Sequence, residues 1–226
     1  MNQKQEKNKI PTLHEIVEIR AKKALMAPIS PIFRQGEGIR LKNMLCEHYL
    51  DVLLENGSTP DDLEKFDHYL NGIVKWLTVS SSKRRNLLIS GPCGVGKTAM
   101  MRAMFRTFIP TIPKTEWISA KDVADIYVGK VPGKGWQEIN NCKCLFIDDL
   151  GMEEESVNDY GNRSSPMLRL LHNRFDRNLI TIFTTNLNMQ QLYNRYDDRL
   201  ADRLADYYRL IYGADMQSYR GRRTEK

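Results

Sequence analysis

The feature that most constrains this chain is a glycine-rich segment at residues 91–98, with the sequence GPCGVGKT. It matches the pattern G-x-x-x-x-G-K-[ST], which requires a strand before it and a helix after it. The chain provides both, because an apolar run at residues 87–89 precedes the segment and Met101, Met104 and Phe105 follow it at helical spacing. The segment therefore predicts a strand, a phosphate-binding loop and a helix in succession.

Each residue type in this loop is suited to holding phosphates. Glycines let backbone N–H groups converge on phosphate oxygens, and the start of a helix adds the positive end of its dipole. Lys97 would reach the β- and γ-phosphates, and the Thr98 hydroxyl would bind Mg²⁺. We therefore predict ATP and Mg²⁺ as ligands of eight residues: Gly91, Pro92, Cys93, Gly94, Val95, Gly96, Lys97 and Thr98. The alternative is an ordinary glycine-rich turn.

The alternation of strand and helix patterns from residue 86 onward predicts an α/β fold. Short apolar runs alternate with helical patterns, at residues 87–89, 117–118, 145–147, 180–183 and 210–212. Such runs between helices indicate a parallel sheet that is covered on both faces. We expect a five-stranded parallel sheet flanked by helices over residues 86–226.

The first 85 residues have a different, helical pattern. A capping box at residues 12–15 predicts one helix, and a second pattern runs over residues 39–55 with Gly57 placed to end it. Residues 59–62, with the sequence TPDD, predict the start of a third helix, and residues 80–85 form a polar link. We therefore expect a small N-terminal helical extension and linker over residues 1–85.

A second motif, CLFIDDLG at residues 144–151, is a buried-strand pattern that ends in two carboxylates. The carboxyl end of a parallel strand faces the ligand crevice. Because neighbouring strand residues point to opposite sides, the two acids should have different roles. We predict that Asp148 holds Mg²⁺ and that Asp149 orients or deprotonates the attacking water. The alternative is a pair of acids in the turn that begins at Leu150 and Gly151.

The strand pattern at residues 180–183 becomes polar toward Asn186. That end should lie beside the strand that carries Asp148, where Asn186 could hydrogen-bond the γ-phosphate or the attacking water. The alternative is that Asn186 caps the next helix, and both roles can hold at once.

Two arginines, Arg199 and Arg203, are four residues apart and would share one face of a helix. They alternate with acids at the same spacing, so the simple interpretation is a solvated helix with salt bridges. The alternative is an arginine that reaches the nucleotide of a neighbouring subunit. The basic tail at residues 218–223 is either a disordered tail or a phosphate contact.

A flexible basic loop at residues 129–136 is the candidate contact with nucleic acid. Lys130 and Lys134 can neutralise phosphates, and Trp136 can stack on a base. The alternative is a surface loop whose tryptophan packs on its own domain.

Composition is ordinary for a globular protein, and its mild basicity fits either a polyanionic partner or a soluble surface that happens to be basic. The chain has 226 residues, 41% of them hydrophobic and 27% charged, and a net charge of +6. No apolar run is long enough to cross a bilayer, and residues 1–9 lack the apolar core of a signal peptide, so we expect a cytoplasmic protein. The four cysteines and four histidines lack zinc-site spacing.

Taken together, these segments resemble the AAA+ ATPase domain of DnaC-type helicase loaders and their IstB-like transposition relatives. The resemblance covers residues 86–223. It is carried by the phosphate loop, the acidic strand end, the Thr184-Thr185-Asn186 segment, the helix with Arg199 and Arg203, and Ser218-Tyr219-Arg220. Two departures from the family are notable. Residues 1–85 match no loader domain, and we expect an ATPase core without a substantial C-terminal lid.

The resemblance implies roles that the residues alone do not give. Asn186 is similar to the sensor-1 residue, and Arg203 to the arginine finger that acts on a neighbouring subunit, with Arg199 as the second candidate. Arg220 resembles the sensor-2 arginine and would contact the nucleotide. An arginine finger implies an ATP-dependent homo-oligomer, and the family implies binding of single-stranded DNA inside a ring or spiral.

Four functions fit these motifs. The leading one is a helicase loader that assembles on single-stranded DNA in replication with a replicative helicase as partner. The second is an IstB-like transposition helper ATPase that acts on duplex DNA with a transposase, and co-purification would separate the two. A small-molecule kinase would need an acceptor pocket and a lid. A nucleotide-gated binding module without catalysis also fits, because many related ATPases have Glu where this chain has Asp149.

Overall fold

The structure is a computed structural model that describes residues 35–57, 63–78, 86–159, 162–205 and 208–211. Four features of the sequence analysis lie outside these residues: the capping box at 12–15, the helix start at 59–62, the link at 80–85 and the tail at 218–223, which includes Arg220.

A five-stranded parallel sheet forms the centre of the fold, which confirms the predicted fold class. The strands of the described residues are β1 (Leu87–Ser90), β2 (Thr115–Ser119), β3 (Cys144–Leu150), β4 (Val157–Asp159), β5 (Asn162–Ser164), β6 (Ile180–Thr185) and β7 (Tyr208–Ile211). The order in the sheet is β2-β3-β6-β1-β7, and each neighbouring pair is parallel. The carboxyl ends of β3, β6 and β1 therefore lie side by side.

Helices cover both faces of the sheet. In the described residues they are α1 (Gly38–Glu55), α2 (Leu63–Thr78), α3 (Lys97–Phe108), α4 (Val123–Tyr127), α5 (Trp136–Asn141), α6 (Pro166–Asp176), α7 (Met189–Arg195) and α8 (Asp198–Ala205). Leu87 and Ile89 of β1 pack with α1, α2 and α3, whereas Leu88 packs on the opposite face with the remaining helices. Alternate residues of a strand point to opposite faces, so the first three residues of β1 are all apolar because both faces of the strand are buried.

The two N-terminal helices share one hydrophobic core with α3 and β1. Leu45 and Tyr49 of α1 are buried in the same cluster as Met104 and Phe108 of α3. Helix α1 begins at Gly38 and ends before Gly57, which has a φ of 65°, as the sequence predicts. An ion pair also joins α1 to α3, with Arg106 Nη2 2.7 Å from a carboxylate oxygen of Glu55. Helices α1 and α2 are therefore packed against the sheet layer.

Strands β4 and β5 form an antiparallel hairpin between β3 and α6 that the sequence analysis did not predict. Each strand has three residues, which is too short for an alternating pattern to be recognised. Among the described residues, no helix is both long and apolar enough to cross a membrane.

A fully buried arginine, Arg174 of α6, joins three segments at the amino end of the sheet. Its Nη1 donates to the carbonyl oxygens of Ile139 at 2.9 Å and Cys142 at 3.0 Å. Its Nη2 donates to Ile180 O at 2.7 Å, and its Nε to Thr181 Oγ1 at 3.1 Å. One guanidinium therefore satisfies carbonyls at the end of α5 and the start of β6.

Candidate active site

The glycine-rich loop lies at the carboxyl end of β1 and leads directly into α3, as the sequence predicts. Gly94 and Gly96 have φ values of 86° and 93°, a region that side chains disfavour. Gly96 is also the residue before the first turn of α3. The N–H groups of that turn and the positive end of the helix dipole together suit an anion.

Lys97 connects the loop to the neighbouring strand. Lys97 is 5% exposed, and its Nζ donates to Gly91 O at 2.8 Å and to Pro92 O at 2.7 Å. The same Nζ donates to Asn186 Oδ1 at 2.7 Å, just beyond the end of β6. The amino group is therefore surrounded by oxygen acceptors and is held at the point where the phosphate loop meets Asn186.

Asp148 lies at the centre of a second group of contacts. Its Oδ1 accepts from Thr98 Oγ1 at 3.0 Å and from Thr184 Oγ1 at 2.5 Å. Burial raises the pKa of this carboxyl, and the nearby charge of Asp149 acts in the same direction, while the two hydroxyls act against both. A hydroxyl and a carboxylate oxygen together form a donor set that suits Mg²⁺.

The strand that carries the two acids is irregular at that point. The register between β3 and β6 shifts between Ile147 and Leu150, and Asp149 has a φ of 58°. The N–H of Asp149 donates to Thr184 Oγ1 at 2.9 Å instead of to a backbone carbonyl. Strict alternation along the strand is therefore interrupted, so the different surroundings of the two acids come from this bulge.

Asn186 is free to face the site because another residue caps the next helix. The side chain of Asn188 accepts from the N–H of Gln191 at 2.9 Å, and the Gln191 side chain accepts from the N–H of Asn188 at 2.8 Å. This capping box begins α7, so the alternative that Asn186 caps that helix is wrong.

Arg199 and Arg203 lie on α8 and share a partner on α6. Nη2 of Arg203 lies 2.7 Å from Asp176 Oδ1, and Nη2 of Arg199 lies 3.2 Å from the same oxygen. The Arg203 guanidinium lowers the pKa of Asp176. Within the described residues, these arginines therefore form ion pairs with an acid on a neighbouring helix rather than with the acids on α8.

The three candidate DNA contacts have different surroundings. The Lys130 side chain is 73% exposed, and its Nζ lies 3.7 Å from Asp125 Oδ1. Lys134 Nζ donates to Trp117 O at 2.6 Å at the edge of the sheet. Trp136 is half-buried and contacts Tyr127 edge-on, with ring centroids 4.9 Å apart. Of the three side chains, Lys130 projects furthest into solvent.

Lys130, Tyr127 and Trp136 line one groove together with Arg169 of α6 and Asn158 of the hairpin. Arg169 Nη1 donates to the Tyr127 hydroxyl at 2.9 Å, and its guanidinium lies 5.7 Å from that ring's centroid. The groove, named here the α4–α6 groove, combines two cations with two aromatic rings.

Two residues that matter here were missed by sequence reasoning. Thr184 belongs to the Thr184-Thr185-Asn186 segment, which the sequence analysis named. Its contact with Asp148 depends on the order of the strands in the sheet. Arg169 has no local signal, because it meets the groove only through the packing of α6 against α4.

The fold and the site define a class of protein. A parallel sheet, a phosphate loop between β1 and α3, and an acid at the end of β3 define an α/β protein that binds nucleoside triphosphates. The sequence profile described as "ATPase family associated with various cellular activities (AAA)" matches residues 87–206, more than half of the chain. The chain belongs to the AAA family of ATPases.

Solved structures of replication proteins have a similar fold. A DnaC helicase loader aligns with a TM-score of 0.53 and 19% identity, covering 73% of this chain and 98% of that one. A DnaA replication initiator bound to AMPPCP and single-stranded DNA aligns with a TM-score of 0.52 and 18% identity, covering 73% and 50%. AMPPCP-bound DnaA from Aquifex aeolicus aligns with a TM-score of 0.46 and 19% identity, covering 57% of this chain.

The chain spans 40% of the length of that Aquifex aeolicus initiator. At 18–19% identity, the alignments with the DnaC loader and the DNA-bound DnaA show a shared fold alone. No curated protein sequence matches the chain.

Proposed function

We propose that the chain binds ATP with Mg²⁺, hydrolyses it, and uses the cycle as a helicase loader that assembles on single-stranded DNA. The observation that carries the ATPase part is the contact of Lys97 Nζ with Asn186 Oδ1 at 2.7 Å, beside the contact of Thr98 with Asp148 at 3.0 Å. Four side chains from three separate segments thus meet at one edge of the sheet.

The residues of the site fit a magnesium-bound triphosphate. Lys97 and the N–H groups at the start of α3 would bind phosphate oxygens, with Lys97 exchanging its present acceptors for them. Thr98 and Asp148 would hold Mg²⁺, which neutralises charge on the phosphates. Asp149 would take the proton of the attacking water, and Asn186 would orient that water.

Action on a neighbouring subunit is assigned to Arg203, with Arg199 as the second candidate. Both guanidinium groups lie on one face of α8 and contact Asp176, whose single carboxylate offsets only one of the two positive charges. Arg220, outside the described residues, completes the proposed set of nucleotide contacts. A finger supplied by a neighbour requires a homo-oligomer assembled with ATP.

Single-stranded DNA is assigned to the α4–α6 groove and the basic loop beside it. Exposed cations neutralise backbone phosphates, and aromatic rings offer stacking surfaces to unpaired bases. Lys130 and Arg169 supply the charge, and Tyr127 and Trp136 supply the rings. Lys134 remains a candidate contact, although its amino group now binds Trp117 O.

The test begins with ATP turnover in the presence and absence of single-stranded DNA, without any small acceptor. Lys97→Ala should lower turnover by about 10²-fold or more, because the cation at the transferred phosphate is lost. Lys75→Ala, an exposed lysine on α2, is the matched control and should leave turnover unchanged. Equal turnover in both variants would reject this site.

The partner is tested by co-purification with a replicative helicase, in ATP and in ADP. Retention of the helicase in ATP supports the loader function. Capture of a transposase on duplex DNA, with no helicase retained, would favour the transposition helper instead.

A further inference from the structure

A buried glutamate, Glu153, lies four residues beyond Asp149 and is bound from two sides. Its Oε2 accepts from the N–H of Gly151 at 2.8 Å. Its Oε1 accepts from the Tyr196 hydroxyl at 2.6 Å and from Arg195 Nε at 3.2 Å. Arg195 also donates to the backbone carbonyl of Glu153. A buried carboxylate needs such partners, because removing the charge from water is unfavourable.

The N–H that Glu153 binds belongs to the turn that holds Asp149. Asp149 O accepts from Met152 N at 3.0 Å, which closes a four-residue turn with Gly151 at its third position. Gly151 has a φ of 99°, a value that this turn position favours for glycine. A Cβ added there would lie 2.4 Å from Leu187 Cδ1, so the turn packs closely against the segment after β6.

Two further backbone groups of the turn are bound by side chains of β6. Asp149 N donates to Thr184 Oγ1, and Leu150 O accepts from Thr185 Oγ1 at 2.8 Å. Glu153 adds a contact of a different kind, because its other oxygen reaches Arg195 and Tyr196 at the carboxyl end of α7. The turn is thereby linked both to β6 and to the far end of the helix that follows Asn186.

We propose that Glu153 is a positioning residue for ATP hydrolysis, which fixes the turn that carries Asp149 relative to α7. This inference rests on the proposed function, because it assigns Glu153 an effect only through Asp149. Burial raises the pKa of Tyr196, so its hydroxyl keeps the proton that it donates to Glu153.

The expected effect is on turnover rather than on nucleotide binding. Displacing a general base by about 1 Å can lower a rate by about 10²-fold. Glu153→Ala should therefore lower kcat by about 10- to 100-fold. The KM for ATP should stay within about 3-fold, because Lys97 and the phosphate loop lie on other segments.

Two further variants separate positioning from loss of charge. Glu155 is the matched control, since its exposed carboxylate lies 3.5 Å from the same Arg195 and does not contact the turn. Glu155→Ala should leave kcat unchanged. Glu153→Gln keeps an acceptor for the N–H of Gly151 and should restore much of kcat. If Glu153→Ala fails to fold in a urea titration, Tyr196→Phe carries the test, because it removes one donor to Glu153 Oε1 and should lower kcat by about 3- to 10-fold.

A double-mutant cycle with Asp149→Asn distinguishes an effect of Glu153 through Asp149 from a purely structural effect of Glu153 on the fold. If Glu153 acts through Asp149, Glu153→Ala should lower the residual kcat of Asp149→Asn by less than about 3-fold. The same 10- to 100-fold loss in both backgrounds would overturn the proposal. Wild-type kcat in Glu153→Ala would overturn this proposal and leave the proposed function intact. A wild-type chain without ATP turnover would instead remove the proposed function and this inference with it. Full kcat in Asp149→Asn would remove only the role of Asp149 as base, and this inference with it.

Discussion

Replacing Thr184 with valine removes one hydroxyl that makes two contacts at the acidic strand end. That hydroxyl donates to Asp148 Oδ1 at 2.5 Å and accepts from the N–H of Asp149 at 2.9 Å. Thr184 is fully buried, so water does not replace the lost partner. Valine keeps the branched shape of the side chain, so the effect isolates the hydroxyl.

The two contacts set the expected loss of stability. A hydrogen bond to a charged group contributes about 1.5–3 kcal/mol, and a buried N–H left without a partner costs about 1–3 kcal/mol. We therefore expect Thr184→Val to lower the free energy of unfolding by about 3–5 kcal/mol. For a chain of this size, that corresponds to a fall in Tm of roughly 10 °C.

The loss should depend on pH, with a definite sign. Burial raises the pKa of Asp148 in the folded state above its unfolded value. Its contribution to stability is thus complete below the unfolded pKa and is lost as the pH rises through the folded pKa. The Thr184 hydroxyl favours the ionised form, so valine raises this pKa further. The stability deficit of Thr184→Val should therefore be largest at neutral pH and should narrow toward acid.

Urea unfolding followed by tryptophan fluorescence, at neutral pH and at several acidic values, measures this deficit. Thr78→Val is the control, since its hydroxyl donates at 2.8 Å to a helix carbonyl, Val74 O, which is not ionisable. The control should lose about 1 kcal/mol at every pH. A Thr184→Val deficit below about 1 kcal/mol, or one that does not change with pH, would refute the reasoning.

Two further variants test features described above. Arg174→Met should lower the free energy of unfolding by about 3–5 kcal/mol in a urea titration, because it leaves buried carbonyls without a donor, whereas exposed Arg177→Met should change it by less than about 0.5 kcal/mol. Lys130→Ala combined with Arg169→Ala should weaken binding of single-stranded DNA and reduce the slope of log K against log salt by about 1.4, measured by fluorescence anisotropy. Unchanged slopes would remove the α4–α6 groove from the DNA path.

The contiguous motifs of this chain could be predicted well from sequence. The phosphate loop at residues 91–98 specifies its own strand and helix, and the five apolar runs specify the sheet. Asn186 could be placed near Asp148 because adjacent parallel strands end at the same edge. Its contact with Lys97 follows from that strand order.

Other features depend on contacts that no local pattern encodes. The bulge at Asp149 is a backbone conformation that strand alternation does not predict. Arg174 has a side chain that is usually exposed, so its burial is visible only when α5 and β6 are in place. The partner of Arg203 lies on another helix, whereas sequence spacing suggested the acids of its own helix.

The domain boundary at residue 85 remains a prediction. The packing of α1 against α3 indicates how a movement of the N-terminal helices would affect the phosphate loop. Helix α3 begins at Lys97 in the phosphate loop, and α1 lies against its flank in one close-packed cluster. Interiors of this density do not deform continuously, so a shift of α1 must carry α3 with it or open a void. A partner protein that binds the outer surface of α1 and shifts this helix would therefore also displace α3, and with it the amino group of Lys97.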